Sequence, residues 1–147
     1  MGDTIRWGIV GTGMMGIEHI ANLKLTPGAE IVALADPFGP SLDRAAAAVG
    51  APVARYDGAA ALARHGGLDA VLIASPNFTH RAVLKPLMAA GVHILCEKPL
   101  CTTLADARFV ADIAQGYDRV FWTGMEYRYM PPAAEFIDRV QIGRAHV

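Results

Sequence analysis

A glycine-rich segment directly after the first apolar run constrains the fold of this chain more than any other feature. Residues 5–10 are mostly apolar, and Gly11-Thr12-Gly13-Met14-Met15-Gly16 follows at once. A helical pattern of apolar residues comes next. A second apolar run covers residues 30–35, and Asp36 lies 20 positions beyond the third glycine. A strand before such glycines, a helix after them and an acidic residue at this distance are typical of a dinucleotide-binding βαβ unit.

Each glycine of this segment has a physical role at a pyrophosphate site. Gly11 permits a tight turn, Gly13 lets the backbone approach the phosphates, and Gly16 lets the helix pack closely on the strand. The N-terminus of the helix adds free N–H groups and a partial positive charge. We expect the whole segment to contact the cofactor, including Thr12, Met14 and Met15.

Asp36 bears on the choice of cofactor. A carboxylate at the end of the second strand accepts hydrogen bonds from the ribose hydroxyls and repels a 2′-phosphate. No arginine follows it, because the next residues are Pro37, Phe38 and Gly39. We therefore expect NAD as the cofactor and regard NADP as the less favoured alternative.

The rest of the chain continues to alternate between short apolar runs and helical patterns. Further strands are predicted at residues 53–56, 69–74, 93–97 and 120–125, and helices at residues 40–48, 59–65, 79–90 and 104–114. This alternation predicts an α/β fold with a doubly wound parallel sheet. The hydrophobic share of 53% and the charged share of 18% suit a sheet that is buried on both faces.

Glu97-Lys98-Pro99 stands at the end of the predicted fifth strand. Parallel sheets place their chemistry at the carboxyl ends of strands, and a proline there stops the strand. A lone lysine at such a position is most often a solvated charge, but the glycine-rich segment makes Lys98 a candidate catalytic residue. Oxidation of an alcohol requires a partner for the hydroxyl proton. Because Glu97 favours the charged ammonium, we expect Lys98 to orient the substrate first and to act as a base second.

Charge and cysteine content exclude several other classes of protein. The net charge is −1 with no basic block, which argues against nucleic acid and anionic membrane surfaces. No apolar stretch approaches the roughly 20 residues of a membrane helix, and the N-terminus lacks the pattern of a secretory signal. Cys96 and Cys101 make neither a disulfide framework nor a metal site. We expect a cytoplasmic protein with reduced thiols and no metal.

Several motifs together resemble the glucose-fructose oxidoreductase / inositol dehydrogenase (Gfo/Idh/MocA) family over residues 5 to about 140. They are the glycine-rich segment, Ser75-Pro76-Asn77 with His80, Glu97-Lys98-Pro99 with Leu100, and Arg128 after the sixth strand. The resemblance implies an NAD(P)-dependent oxidoreductase with a Rossmann domain that acts on sugars, cyclitols or related polyols. It implies a homo-oligomer for the full-length protein.

The resemblance also implies roles for individual residues. Lys98 would hold the substrate hydroxyl or carbonyl near the nicotinamide. Ser75, Pro76, Asn77, Glu97 and Arg128 would belong to the cofactor site. His80 would lie beside them, although a cap on the following helix is an equal alternative.

The chain departs from this family in its second half. The family's chains are more than twice as long, and their second domain carries an Asp-x-x-x-His motif that occurs nowhere in this sequence. We expect residues 1–125 to form the dinucleotide-binding domain and residues 126–140 to start a truncated substrate domain. Phe136, Ile137 and Val140 would expose an apolar stripe there, whereas Trp7 and Trp122 are expected in the core.

The last six residues, 142–147, match one reading frame of a common sequencing adapter. We expect residues 141–147 to be read-through, with the natural sequence ending near Val140 or Gln141. The alternative is that Ile142-Gly143 belongs to a turn that often follows this helix in the family.

Two other functions remain open from the residues alone. A methyltransferase using S-adenosylmethionine also has a glycine-rich loop, but here it lacks a reversed seventh strand and a use for Glu97-Lys98-Pro99. A non-catalytic dinucleotide-binding or sensing module fits a chain that retains the binding residues without the Asp-x-x-x-His motif.

Overall fold

A six-stranded parallel sheet forms the centre of the computed structural model, which describes residues 4–144. The strands are β1 Ile5–Val10, β2 Ala29–Ala35, β3 Ala54–Tyr56, β4 Ala70–Ile73, β5 His93–Cys96 and β6 Phe121–Thr123. Their spatial order is β3-β2-β1-β4-β5-β6, and every neighbouring pair is parallel. The predicted doubly wound sheet is confirmed, and its strand order changes direction between β1 and β4.

Helices connect the strands. They are α1 Met14–Leu25, α2 Gly39–Val49, α3 Ala59–Leu62, α4 His80–Ala89, α5 Leu104–Ala114 and α6 Pro131–Arg144, with 3₁₀ turns at Asn77–Thr79 and Glu126–Tyr129. The N-terminus of α5 shows how local sequence sets a boundary. The hydroxyl oxygen of Thr103 accepts the N–H of Asp106 at 3.1 Å, and the hydroxyl itself donates to the Asp106 carboxylate at 2.7 Å. This cap satisfies the N–H of Asp106, which a helix otherwise leaves unpaired.

Two apolar clusters bury the two faces of the sheet. On one face, Ile9, Leu34 and Leu72 pack against residues of α1 and α2. On the other face, Val71, Ile73 and Ile94 pack with α3, α4 and α5. Strands covered on both faces need nearly continuous apolar sequence, as these have. Each fully buried leucine or isoleucine contributes about 1.5–3 kcal/mol to folding.

Trp122 on β6 is an exception to the buried core. Phe121 packs on the α3–α5 side, so the next side chain along the strand faces the α1–α2 side. Helices α1 and α2 pack on β2 rather than on β6. Trp122 therefore stays 42% exposed, with an edge contact to the Tyr129 ring at 5.8 Å between centroids. The expectation that Trp122 is a core residue is wrong, while Trp7 packs at the edge of the α1–α2 cluster.

The exposed apolar stripe predicted on the last helix is confirmed. Phe136, Ile137 and Val140 on α6 are all exposed to solvent. The helix backbone continues through residue 144, and residues 145–147 of the predicted read-through lie outside the described residues. Within residues 4–144, no helix has both the length and the apolar character needed to cross a membrane.

Candidate functional site

A cavity of about 660 Å³ opens at the carboxyl edge of the sheet, where the strand order changes direction. Residues that follow β1, β2, β3 and β4 line it. They include Gly11, Gly13, Met14, Met15, Asp36, Asp57, Ser75, Pro76, Phe78 and Thr79. Ligands of open α/β sheets bind at this topological position. The structure thus brings together four residues of the glycine-rich segment with Asp36, Ser75 and Pro76; Thr12 and Gly16 of that segment do not line the cavity.

The three glycines have distinct geometric roles. Gly11 has φ +89°, and a β-carbon there would lie 2.3 Å from the backbone nitrogen of Ser75. A β-carbon at Gly16 would lie 2.2 Å from the carbonyl oxygen of Gly11. At Gly13, among the described residues, no atom beyond its chain neighbours and the backbone of α1 lies within 4 Å of that position. The first and third glycines are required by packing, whereas the second leaves open space for a ligand.

The N-terminus of α1 is free to bind an anion. Gly13 is its N-cap residue, no side chain caps the helix, and its first turn contains no acidic residue. The first N–H groups of a helix have no partner within the helix and carry its positive dipole end. Backbone N–H groups at this position suit the phosphates of a nucleotide.

Asp36 is held in place by its neighbours. One carboxylate oxygen accepts the backbone N–H of Thr12 at 2.8 Å and the Thr12 hydroxyl at 3.0 Å. The other accepts the N–H of Phe38 at 2.9 Å. Thr12 is fully buried. Thr12 is not among the residues that line the cavity, and its polar groups orient Asp36.

The loop after β4 has its own hydrogen bonds. Ser75 and Thr79 share a hydroxyl–hydroxyl bond of 2.8 Å, and the Thr79 hydroxyl also lies 2.7 Å from the carbonyl oxygen of Pro76. Asn77 begins the 3₁₀ turn and is exposed, outside the lining of the cavity. Ser75 and Pro76 therefore reach the cavity directly, whereas Asn77 does not.

His80 lies behind the site rather than in it. Its ring is fully buried, with Nε2 3.0 Å from the carbonyl oxygen of Ser75. Nδ1 lies 3.1 Å from the carbonyl oxygen of Pro99 and 3.2 Å from that of Leu100. His80 is not among the residues that line the main cavity. The alternative that it caps α4 is wrong, because the N-cap residue of α4 is Thr79. Instead, it joins the loop after β4 to the loop after β5.

Lys98 faces a second, smaller cavity of about 230 Å³. Met125, Glu126, Tyr127 and Arg128 complete its lining. The Lys98 ammonium lies 3.6 Å from Glu126 Oε1 and 5.9 Å from the centre of the Tyr127 ring. Arg128 thus lies with Lys98 and not with the glycine-rich segment. The carboxylate paired with the ammonium is Glu126.

Glu97 points towards helix α1. Its Oε1 lies 2.7 Å from Nε2 of His19, and its Oε2 accepts the backbone N–H of Lys98 at 3.1 Å. Sequence reasoning missed both His19 and Glu126. A further missed residue, Asp57, lines the main cavity just after β3. Its position as the polar residue that ends a strand is the signal that would have identified it.

The cysteines do not form part of either cavity. Burial raises the pKa of the Cys96 thiol to about 12, so this side chain is neutral and unreactive at ordinary pH. Cys101 is partly exposed, and burial also raises its pKa. Among residues 4–144, no cluster of three or more His, Cys, Asp or Glu side chains could hold a metal ion.

Comparison with known proteins agrees with this geometry. The family described as "Oxidoreductase family, NAD-binding Rossmann fold" matches residues 5–125. The rhizopine catabolism protein MocA of Rhizobium meliloti is 35% identical over 138 residues, covering 94% of this chain. Inositol 2-dehydrogenase 1 of Saccharopolyspora erythraea is 39% identical over 131 residues, covering 87% of this chain.

A solved structure shares the same fold. The crystal structure of myo-inositol dehydrogenase from Lactobacillus casei, in complex with NAD(H) and myo-inositol, superposes with a TM-score of 0.89 at 27% identity and covers 95% of this chain. The chain spans 43% of the MocA relative, 39% of the Saccharopolyspora relative and 42% of the Lactobacillus protein. The chain belongs to the Gfo/Idh/MocA oxidoreductase family, and residues 5–125 are its NAD-binding Rossmann domain.

Proposed function

We propose that this chain is the cofactor-binding part of an oxidoreductase that transfers a hydride between NAD and a sugar, cyclitol or related polyol. The observation that carries the proposal is the cavity at the strand-order switch, with the glycine-rich segment on one side and a fixed Asp36 on the other. The names of two relatives, inositol 2-dehydrogenase and myo-inositol dehydrogenase, support a cyclitol or sugar substrate. Inositol is one member of this proposed class of substrates.

The described residues fit NAD. The open space at Gly13 and the uncapped N-terminus of α1 would receive the pyrophosphate. The Asp36 carboxylate would accept hydrogen bonds from the adenosine ribose, and its charge would oppose the 2′-phosphate of NADP. Ser75 and Pro76 would line the path towards the nicotinamide. When bound, NAD supplies the hydride acceptor.

Lys98 is the proposed catalytic residue. Its ammonium lies at the end of β5, on the same sheet edge as the main cavity, and is half-exposed. A substrate hydroxyl there would accept a hydrogen bond from the ammonium, which orients the oxygen and stabilises negative charge that develops on it. Glu126 would keep the ammonium in place through its ion pair. Arg128 would border the same substrate-facing cavity.

The test is the substitution Lys98→Ala in a version of the protein extended to the length of its relatives. We expect turnover to fall at least 100-fold, while the Kd for NADH changes less than about threefold, because Lys98 lies outside the main cavity. Unchanged turnover with intact NADH binding would show that Lys98 is not catalytic.

A non-catalytic dinucleotide-binding module is the second candidate. It requires only the nucleotide-binding features of the main cavity, which are the open space at Gly13 and the fixed Asp36. In that case the extended Lys98→Ala variant and its parent would both bind NADH, and neither would oxidise sugars or polyols. The methyltransferase alternative is wrong, because the chain belongs to an oxidoreductase family.

The remaining proposals concern the protein as a whole. We propose that residues 126–140 begin a substrate domain and that residues 141–147 are adapter read-through. Coverage of less than half of each relative supports the first point, and an independent reading of the encoding DNA would test the second. We further propose a homo-oligomer that works in the cytoplasm, where the free thiols Cys96 and Cys101 would stay reduced.

A further inference from the structure

We infer that His19 is a positioning residue of the cofactor site. Through Glu97, it fixes the loop that carries Lys98 relative to helix α1, whose N-terminus would hold the pyrophosphate. This inference rests on the proposed function, because it assigns His19 a role in placing the nicotinamide end of that site.

The first observation is a short contact between two shielded side chains. Nε2 of His19 lies 2.7 Å from Oε1 of Glu97, and the two side chains are only 19% and 16% exposed. The Arg139–Glu135 pair on α6 is 75% and 64% exposed and is screened by water. A hydrogen bond from an imidazole N–H to a carboxylate is stronger than one between neutral groups, and shielding increases its strength.

The second observation is that the carboxylate of Glu97 also contacts the backbone of Lys98. Oε2 of Glu97 accepts the backbone N–H of Lys98 at 3.1 Å. The backbone N–H of Glu97 donates to the carbonyl oxygen of Ile73 at 2.9 Å, which anchors the residue at the end of β4. Both carboxylate oxygens of Glu97 are therefore engaged, one with α1 and one with the loop after β5.

The topology shows what this connection spans. Helix α1 follows β1, and Glu97 follows β5, while β4 lies between these two strands. The contact thus reaches across the strand-order switch, from the helix of the proposed pyrophosphate site to the residue before the proposed catalytic lysine. Because a hydrogen bond to a carboxylate has a preferred direction, it fixes this separation more closely than an apolar contact would.

The role of Glu97 follows from the same geometry. The ammonium of Lys98 pairs with Glu126, so Glu97 is not the counter-ion of Lys98. Loss of the His19 imidazole would leave a shielded carboxylate with one partner fewer, and the loop that carries Lys98 would shift to let water reach it. We expect this shift to weaken contacts with the nicotinamide end of NADH and to leave contacts with the adenosine end unchanged.

The test compares two ligands on the 147-residue chain. NADH contains the nicotinamide half, and ADP-ribose lacks the nicotinamide but retains the adenosine and pyrophosphate. For His19→Leu we expect the Kd for NADH to rise about 5- to 10-fold, while the Kd for ADP-ribose stays within about twofold. For His19→Gln, whose amide N–H can reach Glu97, we expect NADH binding within about twofold of the unaltered chain.

A matched control is His93→Leu. Its Nδ1 accepts the N–H of Val120 at 3.0 Å, at the amino end of β5 and away from both cavities. We expect this variant to bind both ligands as the unaltered chain does. An equal loss of NADH and ADP-ribose binding in His19→Leu, or no loss, would overturn the inference. If the unaltered chain binds neither ligand, the proposed function fails and the inference fails with it.

A second measurement does not depend on the folding of any variant. Nitrogen-15 NMR of the imidazole in the unaltered chain reports which ring nitrogen carries a proton. We expect Nε2 of His19 to be protonated, because only an N–H can donate to Oε1 of Glu97. An Nε2 without a proton would overturn the inference.

Discussion

A β-carbon added at Gly16 would lie 2.2 Å from the carbonyl oxygen of Gly11. The first turn of α1 therefore rests directly on the turn that follows β1, and only a glycine allows this approach. We predict that Gly16→Ala destabilises the chain by about 2–4 kcal/mol, because backbone must move to relieve the contact. Urea unfolding monitored by circular dichroism measures the change.

Gly13→Ala is the matched control for that variant. Within residues 4–144, no atom beyond the chain neighbours and the backbone of α1 lies within 4 Å of a β-carbon at Gly13. We therefore expect the stability of the chain to change by no more than about 1 kcal/mol. NADH binding should weaken at least tenfold, since the added methyl would occupy the space where the pyrophosphate approaches the backbone. Equal stability losses for the two variants would contradict these separate roles.

The hydroxyl of Thr12 gives a second prediction. It donates to Asp36 at 3.0 Å while fully buried. Replacement by valine keeps the shape but removes this bond, which should cost about 1–2 kcal/mol of stability. Because Asp36 would be held less firmly, we also expect the Kd for NADH to rise about threefold or more.

Thr26→Val serves as the comparison for Thr12→Val. The Thr26 hydroxyl donates to the carbonyl oxygen of Asn22 at 2.9 Å in an exposed position at the other end of α1. We expect little effect on stability and none on NADH binding. If both substitutions weakened NADH binding to a similar extent, Thr12 would have no specific role at the cofactor site.

Because the Cys96 thiol is buried, we predict that the free energy of unfolding depends on pH in the alkaline range. Burial raises its pKa to about 12. The unfolded chain therefore loses the thiol proton before the folded chain does. The stability contributed by the neutral thiol is complete below the ordinary pKa of about 8.5 and is lost as pH rises towards the folded value.

Between pH 9 and 11, the unfolding free energy should accordingly fall by up to about 1.4 kcal/mol per pH unit more than in Cys96→Ala. The difference between the two chains isolates Cys96, because burial raises the pKa of Tyr117 in both. Parallel pH profiles would mean that Cys96 titrates normally in the folded chain.

The exposed apolar surface predicts association. Tyr127, Tyr129, Phe136 and Val140 are all exposed, and large exposed apolar side chains in one part of a chain favour protein–protein contact. Light scattering should show concentration-dependent association of the isolated chain, which Phe136→Glu with Val140→Glu reduces. A strict monomer at all concentrations, without binding of a hydrophobic dye, would count against this prediction.

Local patterns in the sequence predicted the parts of the site that depend on neighbours along the chain. The spacing from Gly16 to Asp36 predicted a strand–turn–helix–strand unit, and the structure places Gly11, Gly13 and Asp36 around one cavity. The doubly wound parallel sheet, covered on both faces, followed from the alternation of strands and helices and from nearly continuous apolar runs.

The features of the fold and the site that the sequence did not predict depend on tertiary geometry. The turn after β1 decides the direction of the Thr12 side chain, which points to Asp36 and not into the cavity. The His80 side chain turns inward because three carbonyl oxygens surround its ring. The contact between His19 and Glu97 depends on the orientation of α1 about its axis and on the strand order of the sheet. Neither can be read from the sequence. Trp122 stays exposed because the helices on its side pack elsewhere.

The most direct test of the central claim is a titration of the 147-residue chain with NADH and, in parallel, with NADPH. Calorimetry or nicotinamide fluorescence would give both values of Kd. We predict saturable binding of NADH at one site per chain and at least tenfold weaker binding of NADPH, because the carboxylate of Asp36 would face the added phosphate. Absence of saturable NADH binding, or NADPH binding as tight as that of NADH, would contradict the account.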